Sequence, residues 1–102
     1  MSDADDVAGR LWGDDGRPGR PWLAFSEDGR VHGSDGCNML SGSWRSVGDA
    51  VVVGPMMTTR RYCEGVDTWL SGVESVRVDG GELLAFGADG ARIGALRASA
   101  PS

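Results

Sequence analysis

The sequence predicts a mainly β (α+β) domain, an antiparallel, strongly curved sheet or partial barrel packed around one α-helix. Three observations carry this. Apolar and polar residues alternate with period two in short runs, and turn-forming clusters drawn from 17 glycines in 102 residues separate those runs. The period changes once, where Val66, Trp69, Leu70 and Val73 fall at i, i+3, i+4 and i+7 and place one apolar stripe on a helix of about three turns. A chain of this length is one domain that buries roughly two thirds of the surface its unfolded form exposes, so folding as such requires neither a metal nor a disulfide.

Residues 1–7 are polar and acidic and are expected as a disordered leader, with the domain over 8–97 and a loose tail over 98–102. Leu11-Trp12 is a short apolar element, and Gly13 to Arg20 is loop chemistry throughout. Pro21 to Ser26 reads as a strand with Leu23 and Phe25 on one face and Trp22 and Ala24 on the other. The turn Glu27-Asp28-Gly29 lets Arg30 to Gly33 pair back antiparallel. The stretch Gly33 to Trp44 follows, in which Asp35, Gly36 and Asn38 mark a tight corner. Met39 to Val47 is a strand, Gly48-Asp49 reverses it, Val51 to Val53 is a strand of buried type, and Met56 to Tyr62 is extended beyond Gly54-Pro55. Gly65 and Gly72 each weaken the predicted helix by roughly 1 kcal/mol if interior, so packing has to hold it. Ser75 to Val78, Glu82 to Gly87 and Ala91 to Arg97 complete a three-strand meander.

With a net charge of −5, no lysine, and Arg60-Arg61 as the only adjacent basic pair, the chain is not expected to bind nucleic acid. No apolar run reaches membrane-spanning length, and the acidic start differs from a secretory signal, so a cytoplasmic location is expected. A Cys37 nucleophile with His32, the single histidine, as base is formally available, although His32 reads better at an exposed strand end. Two cysteines and one histidine fall one ligand short of a structural zinc site. The reading therefore assigns no catalytic residue, no metal and no cofactor. Asn38 is expected to bond backbone groups of its own corner, with a ligand-reading amide as the alternative. Trp22, Trp44, Met56 and Met57 are the candidates for a hydrophobic binding surface, and Trp69 reads as core.

Gly33-Ser-Asp-Gly36-Cys37-Asn38 resembles the Gly-x-x-Gly-Cys-Asn signature of the META domain (HslJ-like) family, and Thr59-Arg60-Arg61-Tyr62-Cys63 resembles its Thr-Arg-x-x-Cys. Trp12, Gly42-Ser43-Trp44 and Glu82-Leu83-Leu84 fall where the family has matching residues, so the resemblance spans about residues 8–97. It implies a small barrel-like sheet around one helix, a bacterial stress or heat-shock setting, and no reaction. It also implies that Cys37 and Cys63 lie side by side, able to form a disulfide on oxidation and resting as buried thiols in a reducing cytoplasm. The leading expectation is a non-enzymatic module that binds a protein or hydrophobic ligand on its curved sheet. The alternative is a thiol-based redox sensor or minor enzyme using Cys37 and Cys63.

Overall fold

The computed structural model describes residues 7–14, 17, 19–48 and 50–98. Within them nine strands form one antiparallel sheet: β1 (Arg10–Gly13), β2 (Trp22–Phe25), β3 (Arg30–Ser34), β4 (Met39–Val47), β5 (Ala50–Val53), β6 (Met57–Thr58), β7 (Ser75–Asp79), β8 (Glu82–Phe86) and β9 (Arg92–Arg97). The order β1-β2-β3-β4-β5-β7-β8-β9 sets nearly every strand beside its neighbour in sequence. Turns of two to five residues join β2 through β5 and β7 through β9, and turns so short require antiparallel neighbours. An isolated bridge between Trp12 and Ala98 brings the first strand to the last and nearly closes a barrel.

The period-two alternation sets which side chains enter the barrel. Leu23 and Phe25 on β2, Val51 and Val53 on β5, and Leu83 and Ala85 on β8 are buried, and the residues between them face out or lie at intermediate depth. β4 makes the bend: Met39 to Ser43 pair with β3, and Trp44 to Val47 pair with β5. The other edge of β4 carries a β-bulge. Between the pairs Trp44/Val53 and Ser41/Met57, the three residues Gly54, Pro55 and Met56 oppose only Gly42 and Ser43. The extra residue offsets β6 from β5 and increases the local twist. Gly42 allows it, since a Cβ there would lie 2.9 Å from the Met56 side chain.

The expected α-helix over Val66 to Val73 is corrected. The only helical element among those assigned from β1 to β9 is a four-residue 3-10 turn, Trp69–Gly72, in which Ser71 and Val73 donate their N–H groups to the Thr68 and Leu70 carbonyls. Gly65 adopts φ +77°, outside any helix, so the glycines end what propensity could not sustain. The apolar stripe still points inward: Leu70 and Val73 are buried, and Trp69 packs against the core. Its ring occupies space left by Gly94, where a Cβ would lie 2.5 Å from the indole. Gly94 faces Ala85 across the β8–β9 ladder, so two small inward residues shape the slot.

Val7, assigned above to the leader, is fully buried in the core, and Ala98 of the expected tail bridges to Trp12. Residues 1–6 and 99–102 lie outside the described residues, as do Asp15, Gly16 and Pro18 of the Gly13 to Arg20 loop and Asp49 of the turn after β4.

Candidate functional site

The corner between β3 and β4 is assembled by hydrogen bonds that its own sequence supplies. Asp35 is 2% exposed and its Oδ1 accepts the N–H groups of Cys37 (2.9 Å) and Asn38 (2.6 Å), while the Asp35 N–H returns to the Asn38 carbonyl (3.1 Å). This is the local bonding at which Asp excels, a short acceptor closing a turn two and three residues on. Gly36 sits at φ +99° with the Gly19 carbonyl and the Val66 side chain so near that a Cβ would be 2.9 and 3.1 Å from them. Gly33 is equally constrained, its missing Cβ lying 2.1 Å from the Trp22 carbonyl oxygen.

Across from this corner runs the segment that leaves β6. Asn38 grips it at two places: Nδ2 donates to the Arg61 carbonyl (3.1 Å), and Oδ1 accepts from the Arg61 N–H and the Thr59 hydroxyl (3.0 Å). The Thr59 hydroxyl accepts in turn from the Met39 N–H (3.0 Å). Cys37 and Cys63 are joined by a disulfide with Cα atoms 5.8 Å apart. Both cysteines are half-buried, where deep burial in the core was expected. Gly36, Cys37, Asn38, Thr59 and Cys63 thus form one knot, and Gly33 sets the β2–β3 spacing beneath it. Arg60 contributes a solvent-facing side chain.

The knot spends its polar groups on itself. Each atom of the Asn38 amide serves the 59–61 segment, and the Cys37 sulfur is bonded to Cys63, so no thiol stands ready for His32. His32 lies in the middle of β3, exposed, with its ring edge-on to Trp22 at 5.7 Å. Among the described residues no three His, Cys, Asp or Glu side chains gather as a metal site requires. No helix among them is long and apolar enough to cross a membrane.

The four nominated apolar residues divide between two surfaces. Trp44 points into the barrel, edge-on to Phe25 at 6.1 Å with its indole N–H on the Ser26 carbonyl (2.9 Å), and Met56 also packs on the core. Trp22 and Met57 lie on the outer face of β2, β3, β4 and β6. Two rows cross that face: Ala24, His32, Ser41 and Met57 in one, and Trp22, Ser34 and Met39 in the next. Met57 is 79% exposed and Met39 53%. Beside them opens a cleft of about 660 Å³ lined by Arg30, His32, Ser41, Ser43, Pro55 and Met57.

Sequence reasoning missed Asp35 as the acceptor that closes the corner, and it missed Met39 and Tyr62 as exposed apolar residues, Tyr62 being 89% exposed. The Asp35-Gly36 pair was the available signal for the first. For Met39, the alternation with buried Leu40 was the signal.

Comparison with curated proteins and with solved structures finds no significant match. The family comparison does: residues 4–100 match the META domain, nearly the whole chain and every residue of the knot. On that match, the chain belongs to the META domain family.

Proposed function

We propose that this META domain is a non-enzymatic binding module that holds an apolar segment of a partner protein, or a hydrophobic ligand, on the outer face of β2, β3, β4 and β6, in a stress-associated role. The observation that carries the reading is the placement of Met39 and Met57. A domain that buries a continuous core nevertheless turns two methionines to solvent on one curved face, beside Trp22 and an open cleft. Methionine is flexible and polarizable, suited to partners of variable shape, and Trp22 offers a broad apolar contact.

The test is titration of the oxidised protein with 8-anilinonaphthalene-1-sulfonate and with a leucine-rich peptide, followed through tryptophan emission. Met39→Ser with Met57→Ser weakens binding about tenfold and leaves stability within about 0.5 kcal/mol, since both side chains are exposed. Binding indifferent to that double substitution overturns the reading, as does a hydrolytic or transfer activity lost in both Cys37→Ser and His32→Ala.

The half-buried position of both cysteines favours the thiol-based sensor as a second reading, because a reductant reaches such a bridge more readily than one in the core. Reduction would then loosen the segment that carries Arg60 and Tyr62. Equal affinity of the oxidised and reduced protein for the probes excludes it.

A further inference from the structure

One edge of β6 faces solvent, and the hydrogen-bond alternation fixes which groups it presents. Thr59 donates its N–H to the Met39 carbonyl (3.1 Å), and the register places Ser41 opposite Met57 and Leu40 opposite Thr58. In an antiparallel ladder this makes Leu40 and Thr58 the non-hydrogen-bonded pair, whose N–H and C=O groups point away from each other. Arg61 is turned the same way as Thr59, because its N–H and C=O both meet the Asn38 side chain. The main-chain groups of Thr58 and Arg60 therefore point to the opposite edge. β7 does not reach them: its ladder with β5 ends at Val52 and Ser75, followed by a last bond from the Val53 N–H to the Glu74 carbonyl. Beyond that bond the bulge carries the chain away, and among the described residues neither Thr58 nor Arg60 has a main-chain partner on this side.

We propose that this edge accepts one extended, acidic peptide segment of a partner protein as an added strand. Two outward residues separated by one inward residue are the repeat of a β-ladder, which only an extended chain matches. The charge of the edge selects the occupant. Arg60 and Arg61 are exposed and have no ion-pair partner among the described residues, where the one ion pair is Arg17 with Asp14. A second copy of this chain would bring its own Arg60 and Arg61 to the same edge, so like charges oppose self-pairing. Carboxylates at alternate positions of an incoming strand lie on one face and meet the Arg60 guanidinium, while the residues between them lie on the opposite face, beside Met57 and Arg61. Only two main-chain positions are open, so the ladder supplies direction and register, and the neighbouring Met57 supplies apolar contact. The inference rests on the binding role proposed above and adds the chemistry and geometry of the partner.

The test uses the full chain in its oxidised form with a capped octapeptide of alternating valine and glutamate, its valine and lysine counterpart, and amide hydrogen exchange read by NMR. In the free protein the Thr58 and Arg60 amides exchange at least tenfold faster than those of Thr59 and Arg61. Saturating glutamate peptide slows both at least tenfold. Arg60→Glu with Arg61→Glu weakens the glutamate peptide about tenfold and strengthens the lysine peptide. Thr58→Pro removes the outward N–H, which pairs with nothing in the free protein, and abolishes the protection while anilinonaphthalene sulfonate still binds. Protection of Thr58 and Arg60 in the free protein overturns the inference. So do millimolar glutamate peptide that leaves both amides fast, and peptide binding unchanged by Thr58→Pro. The two proposals separate cleanly: edge protection that survives Met39→Ser with Met57→Ser, while dye binding is indifferent to that substitution, removes the outer-face reading and keeps this one.

Discussion

Replacing Asn38 by alanine tests whether the knot holds the barrel's connecting segment. The side chain makes three hydrogen bonds to Thr59 and Arg61, each linking the β3–β4 corner to a segment more than twenty residues away in sequence. A hydrogen bond contributes about 0.5–1.5 kcal/mol net, and these lie where water can replace them, so the lower part of that range applies and the total is about 2 kcal/mol. In urea, with a slope of about 1–2 kcal/mol per molar, the midpoint of the oxidised protein falls by about 1–2 M. Asn38→Asp is at least as damaging, although it keeps the shape and one acceptor. It places a carboxylate oxygen against the Arg61 carbonyl, where Nδ2 donates at 3.1 Å. The same substitutions made in a Cys37→Ala, Cys63→Ala background cost less than in the oxidised protein. Without the bridge the 59–63 segment is already partly loosened, and contacting restraints of this kind couple by about 0.5–3 kcal/mol. Urea unfolding followed by tryptophan emission measures all of this. A loss below about 0.5 kcal/mol for Asn38→Ala in both backgrounds, or a neutral Asn38→Asp, would refute the assignment of Asn38 as a clamp.

Other outcomes follow from single features. Reducing the Cys37–Cys63 bridge removes a constraint on a 26-residue separation, worth about 3.5 kcal/mol on the chain-entropy model, and lowers the melting temperature by about 15 °C or more in calorimetry. Gly94→Ala drives the Trp69 ring from its slot at a cost of about 1–3 kcal/mol, with a red shift of tryptophan emission, and Trp69→Ala in the same chain removes most of the additional loss. Gly33→Ala is more severe, because the atom its Cβ meets at 2.1 Å is a backbone carbonyl oxygen of the adjacent strand; chemical denaturation shows a loss above about 2 kcal/mol. Far-UV circular dichroism is dominated by strand, with no helical double minimum, as nine strands and one four-residue 3-10 turn between β1 and β9 require.

The strands were legible because a barrel wall has one wet and one dry face, and a period of two records that directly. The bounds read for β4, Met39 to Val47, are those observed, and the inward pair Leu23 and Phe25 was separated correctly from Trp22 and Ala24. The segment from Val66 to Val73 misled for a physical reason. Its stripe records which side chains enter the core, and a loop with a 3-10 turn can deliver Leu70 and Val73 inward as well as an α-helix can. Propensity at Gly65 and Gly72 held the contrary signal and deserved more weight than the stripe. The bulge at Gly54 to Met56 was hidden, since register depends on the partner strand and one chain read in order does not display it. Of the knot, the corner at Asp35 to Asn38 was visible in residue types, and the proximity of Cys37 to Cys63 came through family resemblance. The grip of Asn38 on Thr59 and Arg61 depends on tertiary placement alone.

The bridge between Trp12 and Ala98 places the first strand beside the residue that follows the last strand, at one seam. Order along the chain is therefore almost incidental to the architecture: a short linker across the seam, with new ends opened at the exposed Gly80-Gly81 turn, gives a circularly permuted chain with the same strand neighbours. The seam also sets Trp12 and Ala98 side by side, so the first and last strands meet the barrel wall at one place. Two tethers attached there, one to each strand, would hold the domain like a bead on a looped thread rather than in line.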